Sequence, residues 1–389
     1  MLNGLRHRLQ AAYGRHLRER VKSWTRRWIA FAGRVQPASS LHADAGLSVF
    51  VSERGYRPID VHEPEFRVRR PDQTALLRSF LANPNLRAFN PSVVRAEGVH
   101  VSAPEMVHRW HGVSFLEGLL GDPENLSYPR LVIDFELMPL RRSRAWPEGI
   151  LLALPLYSNY YHWMVELLPR LQLLDDHPAW SHLPLIVPAS LPPFALETLS
   201  LAGLTDRVVF LPNGLHRFDS LVVPSLLSPP SHPSPRAVDW LRTRLGKPML
   251  PADRRRRRLY VSRRDAAARF ACNETEVEAM LGRFGFETVV MSGLSVEQQI
   301  ALFASAEVIV GIHGASLTNL AFTESGACVI ELFQEAWFTN AFYHLATIRG
   351  HHYGYLVCPR QGAGLVVPVD LLETLILQVL TMTSAMPRA

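Results

Sequence analysis

From residue 259 to residue 357, short apolar runs rich in β-branched residues alternate with segments that have helical spacing. Strands that alternate with helices predict a parallel sheet joined by crossover connections. This part of the chain is therefore expected to form a doubly wound α/β domain, whose ligands bind outside the carboxyl ends of the strands. The predicted strands are Leu259–Ser262, Glu287–Val290, Val308–Ile312, Cys328–Leu332 and His352–Val357. The predicted helices are Glu274–Phe284, Val296–Ser305, Ser316–Phe322, Trp337–Ile348 and Leu371–Met382.

A less regular alternation precedes it, between residues 149 and 224. This pattern predicts a second parallel sheet with crossovers, and the stretch 224–235, rich in Pro and Ser, predicts a linker between lobes. The expected fold class is α/β, with residues 37–228 in an N-terminal lobe and residues 236–389 in a C-terminal lobe. The predicted elements of the first lobe are strands Gly149–Leu156, Leu185–Val187, Val208–Leu211 and Ser220–Pro224 and helices Asn159–Arg170 and Pro192–Ala202.

The first 150 residues give weaker signals. Residues 1–36 predict a basic amphipathic helix, because apolar residues recur at spacings of three and four as far as Phe31. Residues 41–150 contain short strand-like runs at 47–51, 99–102 and 131–137 and predict an irregular, partly β subdomain. No functional role is predicted for this part of the chain.

Length and composition exclude several classes of protein. A chain of 389 residues, 48% of them apolar, suits one large domain or two ordinary ones. No run of 18 or more apolar residues occurs, and the basic N-terminus lacks the apolar core of a secretory signal. The cysteines Cys272, Cys328 and Cys358 are scattered, which is typical of a reducing cytosol and not of a disulfide framework or metal cluster. We therefore expect a cytoplasmic protein.

Positive charge is concentrated in two runs. The net charge is +6, with nine Arg and Lys residues before residue 35 and five consecutive arginines at Arg254–Arg258. No nucleic-acid-binding motif accompanies these runs, so nucleic acid is not an expected partner. Peripheral contact of residues 1–34 with an anionic membrane at its inner face is one interpretation, and a solvated basic face is the other.

The stretch Val308–Asn319 has the form of a strand, a glycine turn and a helix. Free N–H groups at the start of a helix point towards a ligand, and the helix dipole favours negative charge. Gly311 and Gly314 allow the backbone to approach a phosphate, while His313 and Asn319 add polar side chains. The pattern predicts an anion site, and a tight turn with a buried histidine is the alternative.

Two familiar motifs do not fit this stretch. The dinucleotide fingerprint requires three glycines as G-x-G-x-x-G, and only two are present. The G-x-S-x-G motif of hydrolases requires a glycine two residues after Ser316, where Thr318 stands.

Charged residues follow two other predicted strands. Arg263 and Arg264 come directly after one strand, and guanidinium groups bind phosphate through paired hydrogen bonds. Glu331 lies at the end of the next strand after the glycine turn, where a carboxylate can accept hydrogen bonds from ribose hydroxyls. The alternatives are surface pairing of the arginines with Asp265 or Glu274 and a structural ion pair for Glu331.

His162 and Glu166 are separated by four residues and therefore share one face of the helix predicted for Asn159–Arg170. A base on one lobe that faces an anion site on the other suits group transfer from an activated phosphate donor. Either Glu166 orients His162 or it is itself the base. A metal site is weakly supported because a third ligand is missing, and His162 is otherwise a capping or core residue.

These motifs, taken in order along the chain, resemble glycosyltransferase family 61, whose bacterial members are often labelled capsular polysaccharide biosynthesis proteins. The resemblance covers about residues 150–360. It depends on Asn-Tyr-Tyr-His-Trp-Met-Val-Glu-Leu-Leu-Pro-Arg at 159–170, Tyr-Val-Ser-Arg-Arg-Asp at 260–265, Gly-Ile-His-Gly-Ala-Ser-Leu-Thr-Asn at 311–319 and Val-Ile-Glu-Leu-Phe at 329–333.

The resemblance implies a GT-B fold, in which two Rossmann-like lobes enclose the active site. It implies a nucleotide-sugar donor, commonly a UDP-sugar, inversion at the anomeric carbon and no essential metal or other cofactor. The acceptor is expected to be a saccharide or glycan. The residues carried over for donor binding are Arg263, Arg264, Gly311, His313, Gly314, Asn319 and Glu331, with Glu331 on the nucleoside.

On the acceptor side, the resemblance implies catalytic roles for His162 and Glu166 and acceptor-side positions for Asn159 and Tyr161. The chemistry agrees, because a leaving diphosphate needs positive charge and an acceptor hydroxyl needs a base. A nucleotide-sugar epimerase or hydrolase is an alternative that needs no acceptor. A non-catalytic nucleotide-sugar-binding scaffold is another.

Overall fold

The computed structural model describes residues 35–36, 47–51, 65–67, 90–111, 114–115, 142–246, 257–335 and 339–385. In chain order the strands are β1 (Val35–Gln36), β2 (Leu47–Val51), β3 (Phe66–Arg67), β4 (Ser92–Ala103), β5 (Val107–Arg109), β6 (Ser114–Phe115), β7 (Ser143–Leu151), β8 (Leu185–Pro188), β9 (Val208–Leu211), β10 (Gly214–Pro224), β11 (Arg257–Ser262), β12 (Phe286–Val290), β13 (Ala306–Ile312), β14 (Cys328–Gln334), β15 (His352–Cys358), β16 (Arg360–Gln361) and β17 (Gly364–Leu365). The α-helices are α1 (Pro193–Leu201), α2 (Pro235–Leu245), α3 (Glu274–Gly282), α4 (Val296–Ala304), α5 (Ala341–Arg349) and α6 (Val369–Ala385).

Short helical turns complete this inventory. A π-helix at His162–Leu167 continues into a 3-10 helix at Leu168–Leu174, and another 3-10 helix covers Ala315–Phe322. Three single 3-10 turns lie at Pro178–Trp180, Thr205–Arg207 and Met291–Gly293.

The first sheet is mixed, which corrects the prediction of a purely parallel one. Its order is β2-β4-β10-β7-β8-β9, with β5 beside β4. The pairs β10–β7, β7–β8 and β8–β9 are parallel, whereas β4 is antiparallel to β10, β2 and β5. The prediction was wrong because β4 and β5 come from the irregular region before residue 150, whose short apolar runs gave no sign of a strand of 12 residues. An antiparallel addition to a parallel sheet is common in large α/β folds.

The second sheet is parallel throughout, as predicted, with the order β12-β11-β13-β14-β15-β3. Val308, Ile309 and Val310 in the middle of β13 are fully buried, because both faces of such a sheet are covered. The chain runs from β11 outwards to β12 and then returns past β11 to β13. The order therefore reverses between β11 and β13, and ligands of doubly wound folds bind at this switch point.

The helix predicted for Asn159–Arg170 is not an α-helix. In its π-helical part, the N–H group of Leu168 donates to the carbonyl oxygen of Trp163, five residues back. The following residue, Pro169, has no N–H group to continue the ladder, and the chain tightens into the 3-10 helix. Single π-helical turns are often found at functional sites, and this one carries His162 and Glu166.

Hydrogen bonds also connect helices that belong to the two sheets. The backbone N–H of Glu297 in α4 donates to the carboxylate of Glu197 in α1 at 3.1 Å. Arg242 of α2 donates to the carbonyl oxygen of Ala321 at 3.2 Å. One hydrophobic cluster contains residues of both sheets and of the helices between them, so the two sheets share a packed core.

Other predictions have mixed outcomes. The strand at 47–51 is confirmed. The last two residues of the helix predicted for 1–36 form strand β1 instead, and residues 1–34, the strand at 131–137 and residues 254–256 of the arginine run lie outside the described residues. The last two arginines of that run, Arg257 and Arg258, form ion pairs with Glu287 and Glu307 respectively. Within the described part of the chain, no helix is long and apolar enough to cross a membrane.

Candidate functional site

Arg263 and Gly314 meet at the switch point of the second sheet. Arg263 follows β11, Gly314 follows β13, and a Cβ atom on Gly314 would lie only 2.7 Å from Cζ of Arg263. The guanidinium donates to the carbonyl oxygens of Arg269 at 3.3 Å and Ala268 at 3.2 Å. Among the described residues no carboxylate forms a salt bridge with Arg263, so an anion can still bind its charge.

The neighbouring Arg264 points elsewhere. Its guanidinium forms an ion pair with Glu278, lies 3.8 Å from Glu274 and donates to the hydroxyl of Ser262. Of the two surface partners that the sequence left open, Asp265 and Glu274, the structure shows Glu274, and Glu278 is a partner that was not predicted. The structure therefore separates two adjacent arginines that the sequence could not distinguish.

A second cation near this point, Arg269, was missed by the sequence analysis. Burial lowers the pKa of Arg263, and the charge of Arg269 lowers it further. Burial also lowers the pKa of Arg269, while the charge of Glu331 raises it. Arg269 has a positive φ of 59°, and its N–H donates to Ala363 at 2.7 Å, which fixes its loop. No local motif marks this residue, since three alanines precede it.

His313 is held by Glu331 and Tyr353. Its Nδ1 atom bonds to one carboxylate oxygen of Glu331, and the hydroxyl of Tyr353 donates to the other at 2.5 Å. The ring of His313 also stacks on Phe333, with centroids 5.3 Å apart. Because an ionised carboxylate only accepts hydrogen bonds, Nδ1 carries a hydrogen atom and Nε2 is directed away from Glu331. Burial is the largest cause that raises the pKa of Tyr353, which therefore remains a donor.

Glu331 is 0% exposed, and both of its oxygens are bonded inside the protein. A ligand therefore has no open face of this carboxylate to contact. The geometry instead suits orientation of the His313 ring, as a carboxylate does for a histidine in many sites.

Asn319 and Gly311 also face the interior. The side chain of Asn319 is fully buried, accepts a hydrogen bond from Tyr160 at 2.9 Å and donates to Gln299 at 3.0 Å and Ser316 at 3.1 Å. A Cβ atom on Gly311 would lie 2.6 Å from Cδ2 of Leu317, so this glycine lets the following helix pack against β13. Both residues shape the glycine turn through internal contacts.

On the other side of the site, His162 and Glu166 form a hydrogen-bonded pair. Nδ1 of His162 lies 2.7 Å from Oε2 of Glu166, and the backbone N–H of Ser231 donates to Oε1 at 2.7 Å. Glu166 is 4% exposed, whereas 19% of the His162 side chain is exposed. The carboxylate accepts from both partners, so Nδ1 carries a hydrogen atom and Nε2 is the open nitrogen.

The segment that provides Ser231 was predicted only as a linker. In the structure, residues 225–228 and Ser234 within it are buried, and Ser231 adopts a positive φ of 62°. Its composition correctly indicated an irregular chain but gave no sign that a backbone N–H would reach Glu166.

Asn159 and Tyr161 support this pair. The side-chain oxygen of Asn159 accepts hydrogen bonds from the N–H groups of Tyr161 at 2.9 Å and His162 at 3.4 Å, as residues at helix starts often do. The ring of Tyr161 meets that of His162 edge-on at 5.5 Å. Asn159 therefore fixes the start of the turn, and Tyr161 forms its aromatic wall.

A series of ring contacts connects the two sides. Tyr161 contacts Phe342 of α5 at 5.6 Å, and Phe342 contacts His313 at 5.3 Å. The structure thus brings His162 and Glu166 together with the cluster around His313. Phe342 was missed because nothing in the sequence distinguishes it from a core residue.

The described residues contain no group of three or more side chains that could ligate a metal ion. Arranged in this way, the site can bind an anion at Arg263 and present Nε2 of His162 as a proton acceptor. That combination suits transfer of a group from a phosphate leaving group to a hydroxyl.

Two comparisons with known proteins bear on this site. A family model described as glycosyltransferase 61 matches residues 160–330, a range that contains His162, Glu166, Arg263 and His313. The chain is also 31% identical over 118 residues to the EGF domain-specific O-linked N-acetylglucosamine transferase of Drosophila melanogaster. That alignment covers 30% of this chain and 22% of the relative's length. The family model supports a glycosyltransferase 61 region at residues 160–330, and the two comparisons together support a glycosyltransferase.

Proposed function

We propose that the chain is an inverting, metal-independent glycosyltransferase of the two-lobed GT-B type. It moves a sugar from a nucleotide diphosphate, most simply a UDP-sugar, to a saccharide or glycan acceptor. The observation that carries the proposal is the position of Arg263 against Gly314, at the switch point of a parallel sheet and without a carboxylate partner among the described residues. On the basis of the family resemblance, we also propose a role in capsule or polysaccharide biosynthesis.

On the donor side, Arg263 binds the diphosphate. Arg263 is half-buried and lies near the positive charge of Arg269. A doubly charged anion that binds between the two guanidinium groups reduces both their repulsion and the cost of burying their charge. In its imidazolium form, His313 donates through Nε2 to the diphosphate, because Nδ1 is already bonded to Glu331. In place of direct contact with the nucleoside, Glu331 orients His313, and Asn319 and Gly311 shape the turn around it.

On the acceptor side, His162 is the base and Glu166 its orienting carboxylate. Both oxygens of Glu166 are occupied, by His162 and Ser231, so Nε2 of His162 is the better placed to accept a proton. The same carboxylate stabilises the imidazolium that forms. Positioned bases of this kind contribute about 10²–10⁴-fold to rate.

The reaction is a single displacement. The acceptor hydroxyl attacks the anomeric carbon as the bond from that carbon to the diphosphate oxygen breaks. The electron pair of this bond leaves with the diphosphate, where Arg263 and Arg269 stabilise it, and the hydroxyl proton passes to Nε2 of His162. Attack from the face opposite the leaving group inverts the anomeric configuration.

The first donor sugar to test is N-acetylglucosamine, because the Drosophila relative is named as an N-acetylglucosamine transferase. The decisive experiment combines thermal shift with UDP, ADP, GDP and UDP-N-acetylglucosamine and a transfer assay on methyl glycosides, each with and without EDTA. A ligand of the folded state raises its stability by mass action. Stabilisation by UDP and formation of a glycoside product, both unaffected by EDTA, are the expected results.

Other results would point to other functions. Release of free sugar or an epimer without any acceptor would replace the transferase with a hydrolase or epimerase. Binding of the nucleotide sugar without turnover on any glycoside would indicate a scaffold. Failure of every nucleotide to stabilise the protein would remove the donor site.

A further inference from the structure

Two further histidines lie side by side next to the His162–Glu166 pair. His232 directly follows Ser231, whose N–H group holds Glu166, and His344 is on α5. Their ring centroids are 5.2 Å apart. Neither imidazole has a role in the displacement described above.

The imidazole of His232 has a defined tautomer. Its Nδ1 atom lies 2.9 Å from the carbonyl oxygen of Pro230, and a carbonyl oxygen can only accept, so Nδ1 carries the hydrogen atom. In the neutral ring, Nε2 is then a hydrogen-bond acceptor. This atom is buried, and it has no hydrogen-bond partner among the described residues. A buried acceptor without a partner is destabilising, and such atoms in native proteins call for a ligand, water or function.

His344 provides a neutral imidazole beside His232. It is 5% exposed, and its ring meets that of His232 at a centroid distance of 5.2 Å. Burial lowers its pKa to about 4, and the nearby His232 adds to the effect, so the ring is uncharged at neutral pH. A neutral imidazole suits uncharged hydroxyl groups and gives phosphate no ion pair.

The position of the histidine pair indicates that it contacts hydroxyl groups of the acceptor and not of the nucleotide-sugar donor. His232 is attached through Ser231 to the carboxylate that orients the base, whereas the positive charges for the diphosphate lie at Arg263 and Arg269. His344 is two residues from Phe342, whose ring faces Tyr161 beside His162. Aromatic faces with a few convergent hydrogen-bonding groups are typical of small-molecule sites.

We propose that His232 and His344 form a subsite that binds hydroxyl groups of the acceptor saccharide and holds the reacting hydroxyl near Nε2 of His162. This inference rests on the proposed function. It assigns both histidines a positioning role and leaves the proton transfer to His162.

The test measures steady-state transfer from UDP-N-acetylglucosamine to the methyl glycosides of glucose, galactose, mannose and N-acetylglucosamine. The variants are His232→Leu and His344→Leu, with His182→Leu as the control because its side chain is 70% exposed and contacts Glu148 of β7. We expect each variant to raise the KM for the best glycoside about tenfold, the usual effect of one lost buried hydrogen bond. The affinity for UDP, measured by calorimetry, and kcat should change less than about threefold.

The variants His232→Gln and His344→Gln cover the case in which leucine prevents folding, as judged by circular dichroism. Glutamine keeps a hydrogen-bonding group, so these variants should lose less acceptor affinity than the leucine ones. An unchanged acceptor KM in folded variants, or a fall in UDP affinity as large as that in acceptor affinity, would overturn the inference and leave the transferase intact. Absence of transfer by the wild-type protein to any glycoside would instead overturn the proposed function and the subsite with it.

Discussion

The hydroxyl of Tyr160 donates a hydrogen bond to the side-chain oxygen of Asn319 at 2.9 Å. Tyr160 directly precedes the turn that carries His162 and Glu166, and Asn319 is on the helix that follows Gly314. The bond therefore joins the chain segments that carry the two sides of the site. Burial raises the pKa of Tyr160, so this hydroxyl keeps its proton and remains a donor.

Removal of this hydroxyl in Tyr160→Phe should destabilise the protein. The oxygen of Asn319 would then be a buried acceptor without its donor, at a loss of about 1–3 kcal/mol in the free energy of unfolding. Urea denaturation measures this change, and kcat should fall as the two sides lose their register. Tyr157→Phe is the matched control, because its hydroxyl bonds to Ser190 at an exposed position. Equal stability of the two variants would mean that the Tyr160–Asn319 hydrogen bond does not stabilise the contact between the two sides of the site.

Substitution of the base and its carboxylate should separate chemistry from donor binding. We expect His162→Ala to lower kcat by about 10²–10⁴-fold. Glu166→Gln should lower kcat less, because the amide can still accept from Ser231 but no longer stabilises the imidazolium. The affinity for UDP, measured by calorimetry, should remain near that of the wild-type protein in both. If Glu166→Gln lowered kcat more than His162→Ala, Glu166 would be the base and His162 its partner.

The two adjacent arginines should behave differently. Arg263→Ala is expected to weaken UDP binding about tenfold to a hundredfold, as expected for loss of a charged hydrogen-bonding partner. Arg264→Ala removes ion pairs on the surface, which contribute little, and a hydrogen bond to Ser262, and neither lies at Gly314. Titration calorimetry with UDP at fixed ionic strength distinguishes the variants. Similar losses in both would show that Arg263 has no special role.

Gly314 should be required for the position of Arg263. In Gly314→Ala the new methyl group overlaps the guanidinium and must displace it, so UDP affinity should fall severalfold. Gly282→Ala is the control because no atom lies within 4 Å of its added Cβ. In the Arg263→Ala background, Gly314→Ala should cause little further loss of UDP affinity, since the effects of substitutions at residues in contact are not additive. If the losses in UDP affinity of the two substitutions were fully additive, Gly314 would not act through the position of Arg263.

Stability should decrease as the pH falls from about 6.5 towards 4. Burial lowers the pKa of His344 and of His351 to about 4, compared with 6.5 for the free side chain. Between these values the unfolded state binds more protons than the folded state, so the free energy of unfolding falls with pH by up to about 1.4 kcal/mol per pH unit for each histidine. Urea denaturation at pH 7 and pH 5 measures the slope.

The double variant His344→Gln/His351→Gln should show a smaller difference between these two pH values than the wild-type protein. His182→Gln should keep the wild-type difference, because its side chain is largely exposed in the folded protein. An unchanged slope in the double variant would show that neither histidine is held neutral by burial.

The sequence was most informative for the second sheet. Strand β13 and its neighbours were predicted correctly, with ends shifted by a few residues, because alternation of buried β-branched runs with helices is a local pattern. The order of these strands also places Arg263 beside Gly314, although a sequence pattern cannot specify which side chain of an arginine pair faces the switch point. The mixed first sheet was missed because the pairing of β4 with β10 joins residues more than 100 positions apart.

Sequence by itself determined the chemical types available to this protein: a glycine turn after a buried strand, arginines at a strand end and a histidine four residues before a glutamate. Only the tertiary structure decided their partners. Glu166 is held by a backbone N–H from a segment of Pro and Ser, Glu331 turns inwards to His313 and Tyr353, and Asn319 bonds to Tyr160. The physical reason is that a buried polar group must find a hydrogen-bond partner wherever the packed chain supplies one, and that partner is seldom a neighbour in sequence.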